Sequence, residues 1–358
     1  MIKGARPGLF ALLFIASAQV ALACGVCFEK PERTVADRVL SADAVLVARE
    51  DPDRPYRFAP VTFLSGAAQN AQIPFLVDST TKRRLDTHPE DGVLILREGD
   101  DWSRAGYATE IWRSTAARIL ALGPDWQNDQ KARFSFFESL LDEPDSFVRK
   151  VAIDELSRAP YDLLRRMTQP IEGEVARKSL SDRTQVPWQS FYILMLGLSD
   201  RAEDHALVRQ RIASAARLGS SPHLEAWATA LVEIDGTEGL TLLVEAWLQA
   251  PHVSADALRS VIAALTAHAR IGDPAMKGAV LEALAPLPQR HPEVVGTVAA
   301  AFGEIGDFSQ AGAIRNVVGG LPVKEMRRID PSELFAASSY VYQARKRTLA
   351  SVDPLQDY

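Results

Sequence analysis

Cysteine is almost absent from this 358-residue chain, which contains only Cys24 and Cys27. Both lie near the N-terminus, so disulfide bonds do not staple the body of the protein and packing must hold it together. Basic residues are not in excess either, because the net charge is −6. Nucleic-acid binding needs clustered Lys and Arg, so we expect no nucleic-acid partner.

Enzyme signatures are missing as well. The chain has no Gly-x-Ser-x-Gly elbow, no phosphate loop and no dinucleotide fingerprint. Its six histidines are scattered, and no two are spaced by three or four residues, so no helical metal pair is expected. These absences predict no cofactor and favour a binding protein over an enzyme.

The N-terminus carries the pattern of an export signal. Two basic residues precede the short apolar run 9–15, and Ala21-Leu22-Ala23 offers a cleavage site of small residues, with Ala16-Ser17-Ala18 as an earlier candidate. We therefore expect a signal peptide over residues 1–23 and a periplasmic or extracellular protein. No later stretch approaches about 18 apolar residues, so nothing else is expected to span a membrane.

The predicted cut leaves 335 residues with a net charge of −8, a length that suggests about two domains. Residues 24–125 combine a short helix at 31–40 and a helix at 111–122 with strand-like runs between Pro- and Gly-rich breaks. The runs are 44–48, 58–64, 73–77 and 92–96. This pattern predicts a small β-barrel or sandwich that ends near Gly123-Pro124-Asp125.

A short phrase recurs through the rest of the chain: a branched apolar residue followed by a Gly, Asp or Ser turn. It occurs as Leu198-Ser199-Asp200, Ile234-Asp235-Gly236, Ile271-Gly272-Asp273 and Ile305-Gly306-Asp307. The steps between its Asp residues are 35, 38 and 34 residues. Helix ends repeated at this spacing predict a solenoid of helix pairs over residues 131–320, followed by a helical cap and tail over 321–358.

The repeat region resembles a known family. The stretch from Asp145 to Leu156 looks like the second-helix signature of HEAT repeats, and Ala301 to Asp307 is similar to the phrase between HEAT-like units. The resemblance implies that Asp145 caps a helix whose Val, Ala and Leu residues face the core. The prolines between residues 160 and 187 predict a break or bend there. The expected fold class is thus α+β multidomain, with a small N-terminal β-barrel or OB-like domain before an all-α HEAT-like solenoid.

Cys24 and Cys27 leave several alternatives open. The pair can form a local disulfide, because no third cysteine competes; Cys24 can carry a lipid if it becomes the N-terminal residue; or the pair can be a redox or metal site. Membrane association is expected only if Cys24 is lipidated, which would make the protein an envelope-anchored lipoprotein.

The N-terminal region also resembles the netrin-like, or TIMP-type, OB barrel. The resemblance rests on the two cysteines, the runs 44–48, 58–64 and 92–96, and Trp102. It implies a protease-inhibitor role in which the amino group and carbonyl of Cys24 clamp a zinc ion. The family has one residue between its two cysteines and bridges them to distant cysteines, whereas this chain has two intervening residues and no further cysteine.

Three tryptophans, Trp188, Trp227 and Trp247, fall on predicted repeat helices. Core packing is one interpretation, and exposure on a concave binding face is the other. The leading hypothesis for function is an exported, non-enzymatic scaffold that binds a protein partner through the solenoid surface. The alternative is a redox, metal-binding or inhibitor-like Cys24/Cys27 head with the solenoid selecting its client. An enzymatic role like that of HEAT-like lyases ranks last.

Overall fold

A computed structural model of the chain describes residues 32–67, 72–168, 170–219 and 221–352. The predicted signal peptide, Cys24 and Cys27 lie outside these ranges. The N-terminal part holds an antiparallel sheet with strand order β2-β1-β3-β4. Its strands are β1 (Ala44–Glu50), β2 (Phe58–Ser65), β3 (Gly92–Glu98) and β4 (Asp101–Ala108).

Both faces of the sheet are covered by helices. The first helices are α1 (Val35–Ser41), α2 (Ser79–Thr87) and α3 (Glu110–Leu122). Because side chains alternate along a strand, Val45 and Val47 of β1 face α1 and α3, while Leu46 faces Leu85 of α2. The near-continuous apolar run of β1 is the sequence of a strand buried on both sides.

The α+β class predicted from the sequence is confirmed. Three of the four predicted strands form, but 73–77 contributes only a single bridge from Leu76 to Arg57. Pro74 lacks an amide N–H to donate, which disfavours a regular strand there. Among the described residues β2 and β4 stand at opposite edges of the sheet, so these strands alone do not close a barrel.

The rest of the described chain is helical. Its α-helices are α4 (Gln130–Glu138), α5 (Ser146–Leu156), α6 (Tyr161–Leu164), α7 (Gly173–Ser181), α8 (Gln189–Gly197), α9 (Ala202–Leu218), α10 (Leu224–Leu243), α11 (Ala255–Ile271), α12 (Pro274–Leu284), α13 (Leu287–Arg290), α14 (Val295–Ile305), α15 (Ala311–Gly320), α16 (Val323–Met326) and α17 (Pro331–Val352). None of the described helices combines the length and the apolar character that crossing a membrane requires.

Three of the four recurrent phrases lie at helix ends, as predicted, and the phrase at 234–236 lies at a kink within α10. Leu198 follows the last residue of α8, and Gly236 interrupts α10 with a φ of 56° and a ψ of −128°. Asp273 caps α12 by accepting from the Met276 amide at 2.8 Å. Gly306 ends α14 in the left-handed conformation, with a φ of 79°, which favours glycine because it lacks a Cβ.

Asp145 caps α5 as the HEAT-like signature implies. Its Oδ1 accepts from the amides of Phe147 at 2.8 Å and Val148 at 3.3 Å. Val151 and Leu156 on the same helix are buried. Between residues 160 and 187, where a break was expected, the described residues form only the short helices α6 and α7 and part of a 3-10 helix.

One apolar core runs from the sheet into the helices. It extends from Val45 in β1 through Trp112 in α3 to Tyr340 in α17. It therefore continues across the expected boundary at 123–125, which lies in a 3-10 helix with Gly123 packed against Leu40. The sheet and the helical region share their buried surface.

The helices contact one another in a regular order. α8, α10, α11, α14 and α17 touch in succession, while α9, α12 and α15 pack beside them. The end of the array is less polar than expected of a cap, because Phe335, Tyr342 and Leu349 on α17 are largely exposed. These three residues recur at intervals of seven and lie along one side of the helix.

Candidate functional site

The three tryptophans named as candidate surface residues are buried. Trp188 is 8 % exposed, Trp227 is 6 % exposed and Trp247 is 0 % exposed. Trp188 also donates its Nε1–H to Oδ1 of Asp154 at 3.1 Å. This burial favours the packing interpretation over exposure on a binding face, because none of the three rings is open to a partner.

The residues of the Cys24/Cys27 pair lie outside the described ranges, so the structure places no group near them. Within those ranges, no cluster of three or more His, Cys, Asp or Glu side chains has the arrangement of a metal site.

A groove of about 570 Å³ lies across helices α11 and α14, and we call it the α11–α14 groove. α6 lines one part of it, and the first turns of α10 and α17 line others. Small side chains form much of its surface. They are Ala263 and Ala267 of α11, Gly296 and Ala300 of α14, and Ala336 of α17. A surface of small residues lets another chain approach the helix backbones closely.

A hydrogen-bond network holds α6 at the edge of this groove. The Tyr161 hydroxyl donates to Oε2 of Glu233 at 2.8 Å, and Arg165 Nε donates to Oε1 of the same carboxylate at 2.8 Å. The Tyr161 ring packs edge-on against His268, with centroids 5.4 Å apart. Glu233 on α10 therefore fixes a short helix that could not be stable alone.

Burial shifts the titration of two members of this network. It raises the pKa of Tyr161, and the nearby Glu233 carboxylate raises it further, so the phenol stays protonated. Burial lowers the pKa of His268, whose Nε2 hydrogen bonds to the Thr229 carbonyl oxygen at 2.9 Å. Tyr161 and His268 both act here as neutral packing and hydrogen-bonding groups.

Buried Glu333 fixes the junction of α14 and α17. Its carboxylate accepts from Arg259 Nε at 2.9 Å and from the amide and hydroxyl of Thr297, each at 2.7 Å. Gly296 lies against the same segment: a Cβ there would be 2.1 Å from the Glu333 carbonyl oxygen. The two helices can approach this closely only because position 296 has no side chain.

The charges along the groove are unbalanced. Arg270 is the one basic residue among the described residues of the lining, and it already pairs with Glu304 at 3.6 Å. Asp162 and Glu225 also line the groove, and the side-chain carboxylate of neither forms a hydrogen bond or ion pair with any described residue. The groove therefore offers two free carboxylates beside a surface of small apolar residues.

A larger cavity, about 810 Å³, lies where the sheet meets α4 and α5, and we call it the junction cavity. Arg133 contacts Asp37 at 2.6 Å and Glu155 at 2.7 Å there. Burial opposes ionisation of Asp37, but the hydrogen bond and charge of Arg133 lower its pKa overall. Burial raises the pKa of Glu155, and Arg133 only partly offsets the effect. Asp37 and Glu155 are therefore already paired with a cation, Arg133.

The two cavities differ in what they offer chemically. The junction cavity is lined by a partly buried charge cluster that links α1 to α4 and α5. The groove presents apolar surface with free carboxylates, a combination suited to binding. Its lining comes from five separate helices, so spacing along the sequence did not identify it; the only local signals were acidic residues in the first turns of α6 and α10.

The chain was also compared with known proteins. It matches no protein-family model, no curated protein and no solved structure. The HEAT-like and netrin-like resemblances therefore stay predictions.

Proposed function

We propose that the chain is an exported, non-enzymatic scaffold with a HEAT-like solenoid, and that its α11–α14 groove binds a segment of a partner protein. The order of helix contacts supports the solenoid part of the proposal. α8, α10, α11, α14 and α17 touch in succession with the other long helices beside them, which is how stacked helix pairs bury their second apolar faces.

The groove is the observation that carries the proposed binding role. It is about 570 Å³ in volume, it crosses consecutive helices, and small residues form much of its lining. Stacked repeats characteristically recognise partners along such continuous surfaces. The walls are held by partly buried hydrogen bonds through Glu233 and Glu333, so the groove is formed before a partner arrives and little ordering is needed on binding.

A site-specific cross-link tests the binding role. A photo-reactive phenylalanine placed at Ser332, an exposed residue of the groove lining, should cross-link a protein in producing cells, whereas the same residue at exposed Ala213 on α9 should not. The purified partner should then bind Ala300→Phe at least about tenfold more weakly than Ala213→Phe, because the larger side chain fills the groove. Equal cross-linking at both positions would count against the groove.

Turnover by the purified protein is the second readout. If wild type converts a small molecule and Ala300→Phe does not, the protein is an enzyme and the proposed scaffold role is wrong. Both variants should retain wild-type helicity and melting temperature, because Ala300 and Ala213 are exposed.

Export and the state of the cysteines need a separate measurement, the intact mass and N-terminal sequence of the mature protein from soluble and membrane fractions. A soluble chain that begins at Cys24 and is two mass units lighter than the dithiol would establish a disulfide with Cys27. A lipid-modified Cys24 in the membrane fraction would make the protein an anchored scaffold. An uncut N-terminus would contradict export by this signal.

A further inference from the structure

The acidic lining of the α11–α14 groove indicates what kind of segment it takes. Asp162 lies in the first turn of α6 and Glu225 in the first turn of α10. Acidic side chains are favourable in a first turn because of the helix dipole, but that effect does not require both carboxylates to line the same cavity. Their shared position at the groove is therefore an additional feature.

No cation of the described chain neutralises these two groups. Arg165, which directly follows the helix that carries Asp162, is hydrogen bonded to Glu233, and Arg270 is paired with Glu304. Glu333, another acidic residue of the lining, is matched by Arg259. Glu225 is exposed as a residue, but the protein partly shields its carboxyl group from water. This desolvation raises the pKa of Glu225, because no nearby positive charge offsets it.

The apolar part of the groove narrows the choice of ligand further. Ala263, Ala267 and Ala300 leave room for small aliphatic side chains or for a closely approaching backbone. A free metal ion would gain nothing from such a floor, and a purely apolar segment would desolvate the two carboxylates without compensation. Only a ligand with both features matches the lining.

We propose that the groove takes a polypeptide segment of a partner that carries a Lys or Arg side chain next to small aliphatic residues. The cation pairs with Asp162 and Glu225, and the aliphatic residues cover the alanine floor. This inference rests on the proposed function and specifies its partner by charge.

A peptide selection tests the proposal. A library of random 12-residue peptides displayed on phage is selected on the full-length protein at low ionic strength, with Asp162→Asn/Glu225→Gln as the test variant. The control is Glu238→Gln/Glu282→Gln, which removes two exposed acidic residues outside the groove and changes the net charge equally. Ala300→Phe is the variant in which a larger side chain blocks the groove.

Peptides rich in Lys or Arg beside Ala, Val or Ser should be enriched on wild type and on the control. A synthetic peptide of this kind should bind the test variant about tenfold more weakly, and binding to wild type should weaken at high salt, because the pairs are partly exposed. Matched melting temperatures of the two double variants would show that the fold is unaffected.

Two results would overturn the inference, and only the first would leave the proposed function in place. The first is groove-dependent enrichment without a preference for basic residues, unaffected by Asp162→Asn/Glu225→Gln. The second is a wild-type dimer that dissociates in that variant, which would make a second copy of the chain the occupant. A third result would contradict the proposed function itself. If no peptide is enriched on wild type, or if Ala300→Phe still binds the enriched peptides, the groove is not a binding site.

Discussion

The junction cavity and the α11–α14 groove are both lined by acidic residues, but they use them differently. In the junction cavity Asp37 and Glu155 share Arg133, so the charges hold α1 against α4 and α5. In the groove Asp162 and Glu225 face no cation of the described chain. A neutralised buried carboxylate contributes to the packing of the fold, whereas an unneutralised one at a surface groove is available to a ligand.

The largest expected effect is on the junction cavity. Arg133→Met would leave Glu155, which is 1 % exposed, without its cation, and should lower the free energy of unfolding by about 3 kcal/mol. The control is Arg270→Met in the groove, where the pair with Glu304 is half exposed and worth less than about 1 kcal/mol. Urea denaturation measures both. Equal losses would remove the distinction between the two cavities.

Gly296 tests whether the α17 side of the groove depends on close helix approach. Gly296→Ala should destabilise the protein by about 2 kcal/mol, because its Cβ would meet backbone atoms of Glu333. Gly278→Ala on α12 is the matched control: nothing lies within 4 Å of its added Cβ, so a gain of about 0.5 kcal/mol is expected. Thermal unfolding measures both variants, and melting temperatures that shift in the same direction for Gly296→Ala and Gly278→Ala would contradict this packing.

The pH dependence of stability tests the α6 side of the groove, where His268 packs against Tyr161. Its folded-state pKa is lowered by burial, with Glu233 acting to raise it and Arg165 to lower it. As the pH falls, His268 is therefore protonated in the unfolded chain before it is protonated in the folded protein. The free energy of unfolding decreases below about pH 6.5, by up to about 1.4 kcal/mol per pH unit. His268→Gln should flatten this part of the curve. A wild-type curve parallel to that of the variant would argue against a buried neutral imidazole.

The smallest effect is expected for Tyr161→Phe, which removes the hydroxyl bonded to Glu233 but keeps the ring against His268. A loss of about 1 kcal/mol is expected, together with weaker binding of any groove ligand. Tyr342→Phe is the control, because that ring is 68 % exposed and its loss should be negligible. Stability and peptide affinity would be measured on the same preparations.

Much of the secondary structure could be predicted because the signals were local. β1 and β3 are short apolar runs between turns, and the recurrent phrases combine a helix-ending apolar residue with a capping Gly or Asp. β4 and α2 were missed. Only two alanines of β4 are buried, and α2 has Leu85 as its one large buried residue, so neither segment shows clear periodicity.

The sequence by itself determined that the recurrent phrases mark helix ends or kinks, which runs form the central strands, and that the cysteines could not staple the body. These follow from backbone capping and from side-chain periodicity, both of which act over a few residues. Only the tertiary structure decided that three tryptophans are buried and that Asp162 and Glu225 line one groove without a cation. Burial and charge pairing depend on contacts between distant segments, so they emerge only when α6, α10, α11, α14 and α17 pack together.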